Sequence, residues 1–207
     1  MSILDKSVLE NYHLYESFKL LANPACNILC KLQKEEYRIF RKRMIECILA
    51  TDMSNHFKIL TTLKSKVESI RKGEGSESEH VLTTILKGDN LISKFDIQQD
   101  IMNFLIHTAD ISNPSKDFVV YKKWATLCME EFFHQGDLEK SESLTISFLC
   151  DREIVNIPKA QIGFMNGIVN PVIYLLTDII PELEYYKGNL DLNLENWKKE
   201  LEKGENK

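Results

Sequence analysis

Apolar residues along this 207-residue chain recur at helical spacing, with almost no alternating runs. About Ile3–Ala22 carries Leu4, Val8, Leu9, Tyr12, Phe18 and Leu21 on a helical period, and Asn23-Pro24 should stop it. A short apolar helix is expected at about Ala25–Lys31. Lys34–Ala50 sets Tyr37, Phe40, Met44, Ile45, Ile48 and Leu49 against Lys and Arg, which predicts an amphipathic helix. Ser54–Arg71 repeats the pattern through Phe57, Leu60, Leu63, Val67 and Ile70. Ile97, Ile101, Phe104, Leu105 and Thr108 predict a buried helix ending near Asn113-Pro114. Tyr121, Trp124, Cys128, Met129 and Phe132 form the next stripe, with Gly136 as its expected stop. A polar turn over Asp137–Glu142 and a loop over Leu149–Ile157 should follow. Pro158 suits the first turn of a long segment to Ile180. Leu190–Leu201 predicts a short amphipathic tail helix, frayed after about 201. Residues 72–80, KGEGSESEH, read as a surface loop inserted in one domain spanning 1–207. The fold class is all-α, a compact bundle of roughly eight to ten helices.

Composition sharpens this picture. Eight Gly and five Pro leave few forced turns, which argues against an all-β chain. Hydrophobic residues at 43% and charged residues at 28% suit a globular protein. A net charge of −5 without a basic stripe argues against a nucleic-acid partner. The five cysteines, Cys26, Cys30, Cys47, Cys128 and Cys150, contain no C-x-x-C pair, so free thiols in a reducing, cytoplasmic setting are expected. Asp5, Lys6 and Glu10 interrupt any signal-like apolar run. Ile162–Ile180 contains Asn166, Asn170, Pro171 and Asp178 and reads as a core helix rather than a membrane span.

Four stretches carry possible chemistry, each with a plain structural alternative. Asp110, ending an apolar helix before Asn113-Pro114, is either a metal ligand or a helix-end carboxylate meeting solvent. His107 shares its face and reads as a satisfied core histidine. Glu130–Phe133 with Gln135–Asp137 reads as an amphipathic helix and its last turn. Gln161 and Phe164, at i and i+3, either read and stack a flat heterocycle or pack as core. Glu10 and His13 have the same spacing and could be a surface pair.

Five motifs occur together: LENYH (Leu9–His13), LATDMSNH (Leu49–His56), HTADISNP (His107–Pro114), EEFFHQGD (Glu130–Asp137) and QIGFMNGIV (Gln161–Val169). Their order and spacing, from about Ser7 to Leu183, resemble the C-terminal part of the class I cyclic-nucleotide phosphodiesterase catalytic domain. The resemblance implies that Asp110 binds the tighter of two divalent metals, zinc beside magnesium or manganese. It implies that Gln161 reads the purine, with Phe164 stacked on one face and Cys128 on the other. Met53 would form a pocket wall. Asn113, Tyr121, Trp124, Met129, Phe132 and Leu149 would line or support the base pocket. Glu10 resembles an outer carboxylate near the metal water and His13 the second histidine of its motif. The implied reaction is hydrolysis of cyclic AMP or cyclic GMP to the 5′-nucleoside monophosphate.

The family's H-x-x-x-H and HD metal motifs, and its proton-donating histidine, lie upstream of the LENYH position. No histidine here precedes Asp, and no two are four apart. The expectation is therefore a fragment with an incomplete metal site, little activity alone and an exposed apolar patch, any membrane link lying outside it. The alternative is a non-catalytic relative that binds a cyclic nucleotide or a partner chain. Tyr12 stands where many relatives have histidine, and Cys128 is smaller than the usual Ile or Val.

Overall fold

The computed structural model describes residues 6–74 and 91–205, and no strand occurs among them. The α-helices are α1 (Val8–Ala22), α2 (Lys34–Leu49), α3 (His56–Glu74), α4 (Leu91–Asp110), α5 (Phe118–Ser141), α6 (Ile157–Phe164), α7 (Asn170–Ile179) and α8 (Glu184–Glu205). Single tight turns lie at Met53–Asn55, Asn113–Ser115 and Pro181–Leu183. The chain forms two compact units, Met1–Asp110 and Ile111–Lys207.

In the first unit α4 packs on α2 and α3, and α1 packs on α2. Its core contains Leu14, Leu63, Val67, Ile101 and Phe104, with His56 and His107 buried among them. The Gln33 backbone N–H donates to Glu36 Oε2 at 2.8 Å, closing the first turn of α2. The α2 stripe is only half-buried, and Tyr37 and Ile39 are exposed.

The second unit holds α5 to α8 around Tyr121, Met129, Met165, Val169, Ile173, Leu190 and Trp197. Asp117 and Asn156 cap α5 and α6, accepting from the backbone N–H groups of Val119 and Lys159 at 2.9 Å each. Residues Ile157–Ile179 form one continuous helical rod, the only described helix long and apolar enough to cross a membrane. Its buried residues instead make it the unit's core helix, as its internal polar residues suggested. The rod opens into a wide π turn at Met165–Val169, just before Pro171. Proline lacks an N–H and clashes with the carbonyl four residues back, and the wide turn relieves both problems.

Several expected elements are corrected. Ala25–Lys31 is a run of turns, not a helix. The side chains of Asn23 and Asn27 accept from the backbone of Ala25 and Leu29, at 3.0 and 2.9 Å, and so compete with helical bonding. Helix α1 starts at Val8, and residues 3–5 lie outside the described residues. Of the loop expected at 72–80, Lys72–Glu74 finish α3, and 75–80 lie outside the described residues. The tail helix is longer than expected, running from Glu184 to Glu205.

Gly136 does not stop α5, which runs through the expected Asp137–Glu142 turn as far as Ser141. It is buried, and a Cβ there would lie 1.9 Å from the Cys150 carbonyl oxygen. The missing side chain lets the 142–156 loop pass against the helix; it is not a terminator.

Candidate functional site

In the first unit Asp110 is the last residue of α4 and is exposed. The negative end of the helix dipole disfavours a carboxylate there, so a cation would be welcome. Met53 lies in the turn before α3 and is 43% exposed. That turn is capped by Asp52, whose carboxylate accepts from the Ser54 backbone at 2.8 Å and from Ser7 Oγ at 2.6 Å. The Ser7 hydroxyl, with the Ser54 bonds, holds the Asp52 carboxyl below its ordinary pKa. Glu10 is half-buried and His13 exposed on α1.

His107 is a core residue. Its Nδ1 lies 2.9 Å from the Ala50 carbonyl, and its Nε2 lies 2.9 Å from His56 Nδ1. A carbonyl only accepts, so His107 carries its proton on Nδ1 and accepts from His56 on Nε2. His56 is then protonated on Nδ1, and its Nε2 is buried with no hydrogen-bond partner. Burial lowers the pKa of both rings; His107 lowers that of His56 further, while the Ala50 carbonyl and Asp110 partly oppose the shift at His107. The pair ties the end of α2 to α3 and to α4 one turn before Asp110. Sequence spacing could not show this, because the two histidines are 51 residues apart.

In the second unit Gln161 is buried on α6, and its Oε1 accepts a 2.8 Å hydrogen bond from the Tyr121 hydroxyl on α5. Burial raises the Tyr121 phenol well above its ordinary pKa, so it remains a protonated donor. With Oε1 engaged, the Gln161 NH₂ group is the end left to donate to a ligand. Phe164 follows one turn later on the same helix face and is half-buried.

The α5 stripe read from sequence merges two neighbouring rows. The buried row is Tyr121, Ala125, Met129, Phe133 and Gly136. Trp124, Cys128 and Phe132 form a second row at i, i+4 and i+8, with Trp124 and Cys128 exposed and Phe132 half-buried. Burial and the nearby Glu131 raise the Cys128 thiol pKa. Leu149 is half-buried with φ 65°, a left-handed conformation that costs a branched residue about 1–2 kcal/mol. Asn113 opens the Asn113–Ser115 turn. On α8, Asn193 Nδ2 donates to the carbonyls of Pro114 and Lys116, both at 2.7 Å, and Asn189 Nδ2 donates to that of Ser115 at 3.0 Å. Sequence reasoning missed Asn189, Asn193 and Trp197. Their i, i+4, i+8 spacing on an otherwise charged helix was the available signal.

A divalent metal needs several fixed donors. Asp110 fits as one oxygen donor, but no group of three His, Cys, Asp or Glu side chains able to hold an ion occurs among the described residues. They supply one corner of such a site.

Comparison with known proteins gives a consistent pattern. A family model described as 3′5′-cyclic nucleotide phosphodiesterase matches residues 2–190. The 3′,5′-cyclic-AMP phosphodiesterase, isoform F, of Drosophila melanogaster is 40% identical over 190 residues, covering 91% of this chain and 27% of that protein. The probable 3′,5′-cyclic-AMP phosphodiesterase pde-4 of Caenorhabditis elegans is 37% identical over 194 residues, covering 92% and 27%. The crystal structure of the phosphodiesterase domain of Salpingoeca rosetta rhodopsin phosphodiesterase superposes with a TM-score of 0.81 at 31% identity, covering 98% of this chain and 57% of that one. The chain thus spans about a quarter of these two curated relatives and somewhat over half of the solved domain.

Proposed function

Since this chain belongs to the 3′5′-cyclic nucleotide phosphodiesterase family, we propose that it is the purine-reading part of a catalytic domain that hydrolyses cyclic AMP. The observation that carries this reading is the buried Gln161 amide fixed by the Tyr121 hydroxyl. A buried amide with one end committed is a costly feature in a core helix unless its other end has a use. Its free NH₂ suits an acceptor on a purine edge, N1 of adenine or O6 of guanine. Preference for cyclic AMP therefore rests on the relatives, two of which are cyclic-AMP phosphodiesterases by name.

In this reading Phe164 stacks on the base and Cys128 offers a small apolar contact opposite. Asn113, Trp124, Met129, Phe132 and Leu149 shape or support the pocket, and Met53 would form a wall beside the metals in the first unit. Asp110 contributes one oxygen to the divalent metals, zinc with magnesium or manganese, and Glu10 and His13 act around them. When bound, such metals supply a water activated for attack on phosphorus. Asp110 of the first unit would hold its ion, and Gln161 and Phe164 of the second would hold the base. A second reading, nucleotide binding without hydrolysis, is favoured by the lack of any three-donor metal cluster among the described residues.

Equilibrium binding of cyclic AMP and cyclic GMP to the purified chain tests the pocket. Tighter binding of cyclic AMP is expected, and Gln161→Ala should weaken it about tenfold, the loss of one well-made polar contact. Unchanged binding by that variant refutes the pocket. Hydrolysis measured with added Zn²⁺ and Mg²⁺ separates the two readings: turnover supports the enzyme, while binding without turnover supports the second.

A further inference from the structure

The chain is acidic overall, yet its cations are unevenly placed. Residues 16–46 hold seven Lys and Arg against four Glu, a net +3 in a chain of net −5. Six of the seven, Lys19, Lys31, Lys34, Arg38, Arg41 and Lys42, are exposed on α1, α2 and the turns joining them. Glu16, Glu35 and Glu46 pair with Lys19, Arg38 and Lys42, at exposed sites where such pairs are weak. No carboxylate pairs with Lys31, Lys34 or Arg41 among the described residues.

Lys34, Arg38, Arg41 and Ile45 stand at i, i+4, i+7 and i+11, which is one row of α2. This row borders a cleft of about 430 Å³ between α1 and α2. Leu14, Phe18 and Ile45, buried or half-buried, form its floor, and the exposed Tyr15, Lys19 and Arg41 form its rim. The Arg41 guanidinium lies over the Phe18 ring, 4.1 Å from its centroid. Contact through the guanidinium face leaves the N–H donors around its edge open to phosphate oxygens.

The same end of the first unit exposes aliphatic side chains. Ile28, in the turns between the helices, is 83% exposed, and Leu20 and Leu32 on either side of it are exposed as well. A single exposed leucine is ordinary. Here three aliphatic side chains alternate along the chain with Lys19, Lys31 and Lys34.

We infer that this end of the first unit, the α1–α2 pair and its joining turns, docks on the surface of an anionic lipid bilayer. Lys31, Lys34 and the α2 row meet the lipid phosphates, with one headgroup phosphate against Lys19 and Arg41 at the cleft. Leu20, Ile28 and Leu32 enter the boundary between headgroups and acyl chains. The exposed rings of Tyr15 and Tyr37 suit that interface. A nucleic acid offers exposed aliphatic side chains nothing to enter. An acidic protein would need a separate matched pocket for each of them, and a bilayer needs none. From sequence, any membrane link was expected outside this chain; the exposure of these particular residues is what the fold adds. The inference involves neither Gln161 nor Asp110 and stands apart from the purine reading.

Flotation of the full chain with vesicles tests it. Vesicles of phosphatidylcholine and phosphatidylserine in equal parts should carry the chain upward, vesicles of phosphatidylcholine alone should not, and added salt should weaken the binding. Each cation removed should weaken it about fivefold, so Lys31→Gln, Lys34→Gln and Arg41→Gln together should cause a loss of about a hundredfold. Ile28→Ser should weaken it about tenfold, by a factor that salt does not change. Lys198→Gln, Lys199→Gln and Lys203→Gln together remove the same charge from α8 and should leave binding as in the parent. All these side chains are on the surface, so circular dichroism of the variants should match the parent's. Equal losses in the two triple variants would mean that net charge alone drives binding, and the inference is then wrong. It is also wrong if the parent does not float with the mixed vesicles. Soluble polyglutamate is the last probe: if it binds the parent as tightly as the vesicles do, and Ile28→Ser changes neither, the partner is an acidic polypeptide and the bilayer is excluded.

Discussion

Replacing Gly136 with alanine sets two effects against each other. In a helix interior this change ordinarily stabilises by about 1 kcal/mol, because glycine loses the most backbone freedom on folding. Here the new Cβ would lie 1.9 Å from the Cys150 carbonyl oxygen, 2.6 Å from its carbon and 3.1 Å from its Cβ. Ordinary contact begins at 3.4 Å, so the loop must retreat by 3.4 − 1.9 = 1.5 Å. The atoms in the way are mostly backbone, and the loop is held beside the helix by Arg152 clasping Asp137 at 2.7 Å. Overpacking of this kind costs about 3 kcal/mol or more. The clash wins by about 2 kcal/mol, and with a urea slope of about 2 kcal/mol/M the midpoint falls by about 1 M. Gly188→Ala is the matched control, since nothing lies within 4 Å of a Cβ there. Its midpoint should rise by a few tenths of a molar unit, roughly the propensity gain alone. Urea unfolding followed by circular dichroism measures both. A Gly136→Ala midpoint at or above that of the parent refutes the close-packing account and returns Gly136 to the role of a helix-end residue.

Two further outcomes follow from buried groups. Burial lowers the folded-state pKa of both His56 and His107 below the ordinary imidazole value of 6.5, so the unfolded chain binds protons more readily. The stability they contribute is present above about pH 6.5 and is lost as pH falls toward the lowered values. Urea midpoints between pH 8 and 5 should drop on the acid side, and His56→Phe should flatten the drop; a parent midpoint constant over that range contradicts the buried pair. Thiol labelling at pH 8 should modify the exposed Cys26 and Cys30 first, Cys128 more slowly because its thiol pKa is raised, and the buried Cys150 last. Fast labelling of Cys150 in the folded chain would show that the loop does not lie on α5 as described.

Most helices were legible because their causes are local. Lys34–Leu49 and His56–Glu74 carry apolar residues on a 3.6-residue period, a local signal that is legible even where the stripe, as in Lys34–Leu49, is only half-buried. The Ala25–Lys31 segment looked helical by composition, yet two asparagines divert its backbone into turns, and propensity lost to local side-chain bonding. The two rows of α5 differ by about one residue in angular position, finer than apolar character alone can resolve. Only the packing of α5 in its unit put Ala125 and Phe133 inside while leaving Trp124 and Cys128 outside.

Sequence by itself determined the helical class, the family and the identity of the residues that carry its motifs, because periodicity and motif spacing are properties of one strand of text. Tertiary structure decided which polar groups meet: Tyr121 with Gln161 across 40 residues, His56 with His107 across 51, and Asn193 with Pro114 across 79. A hydrogen bond requires two groups within about 3 Å at a narrow angle. Separation along the chain says nothing about that until the helices have packed.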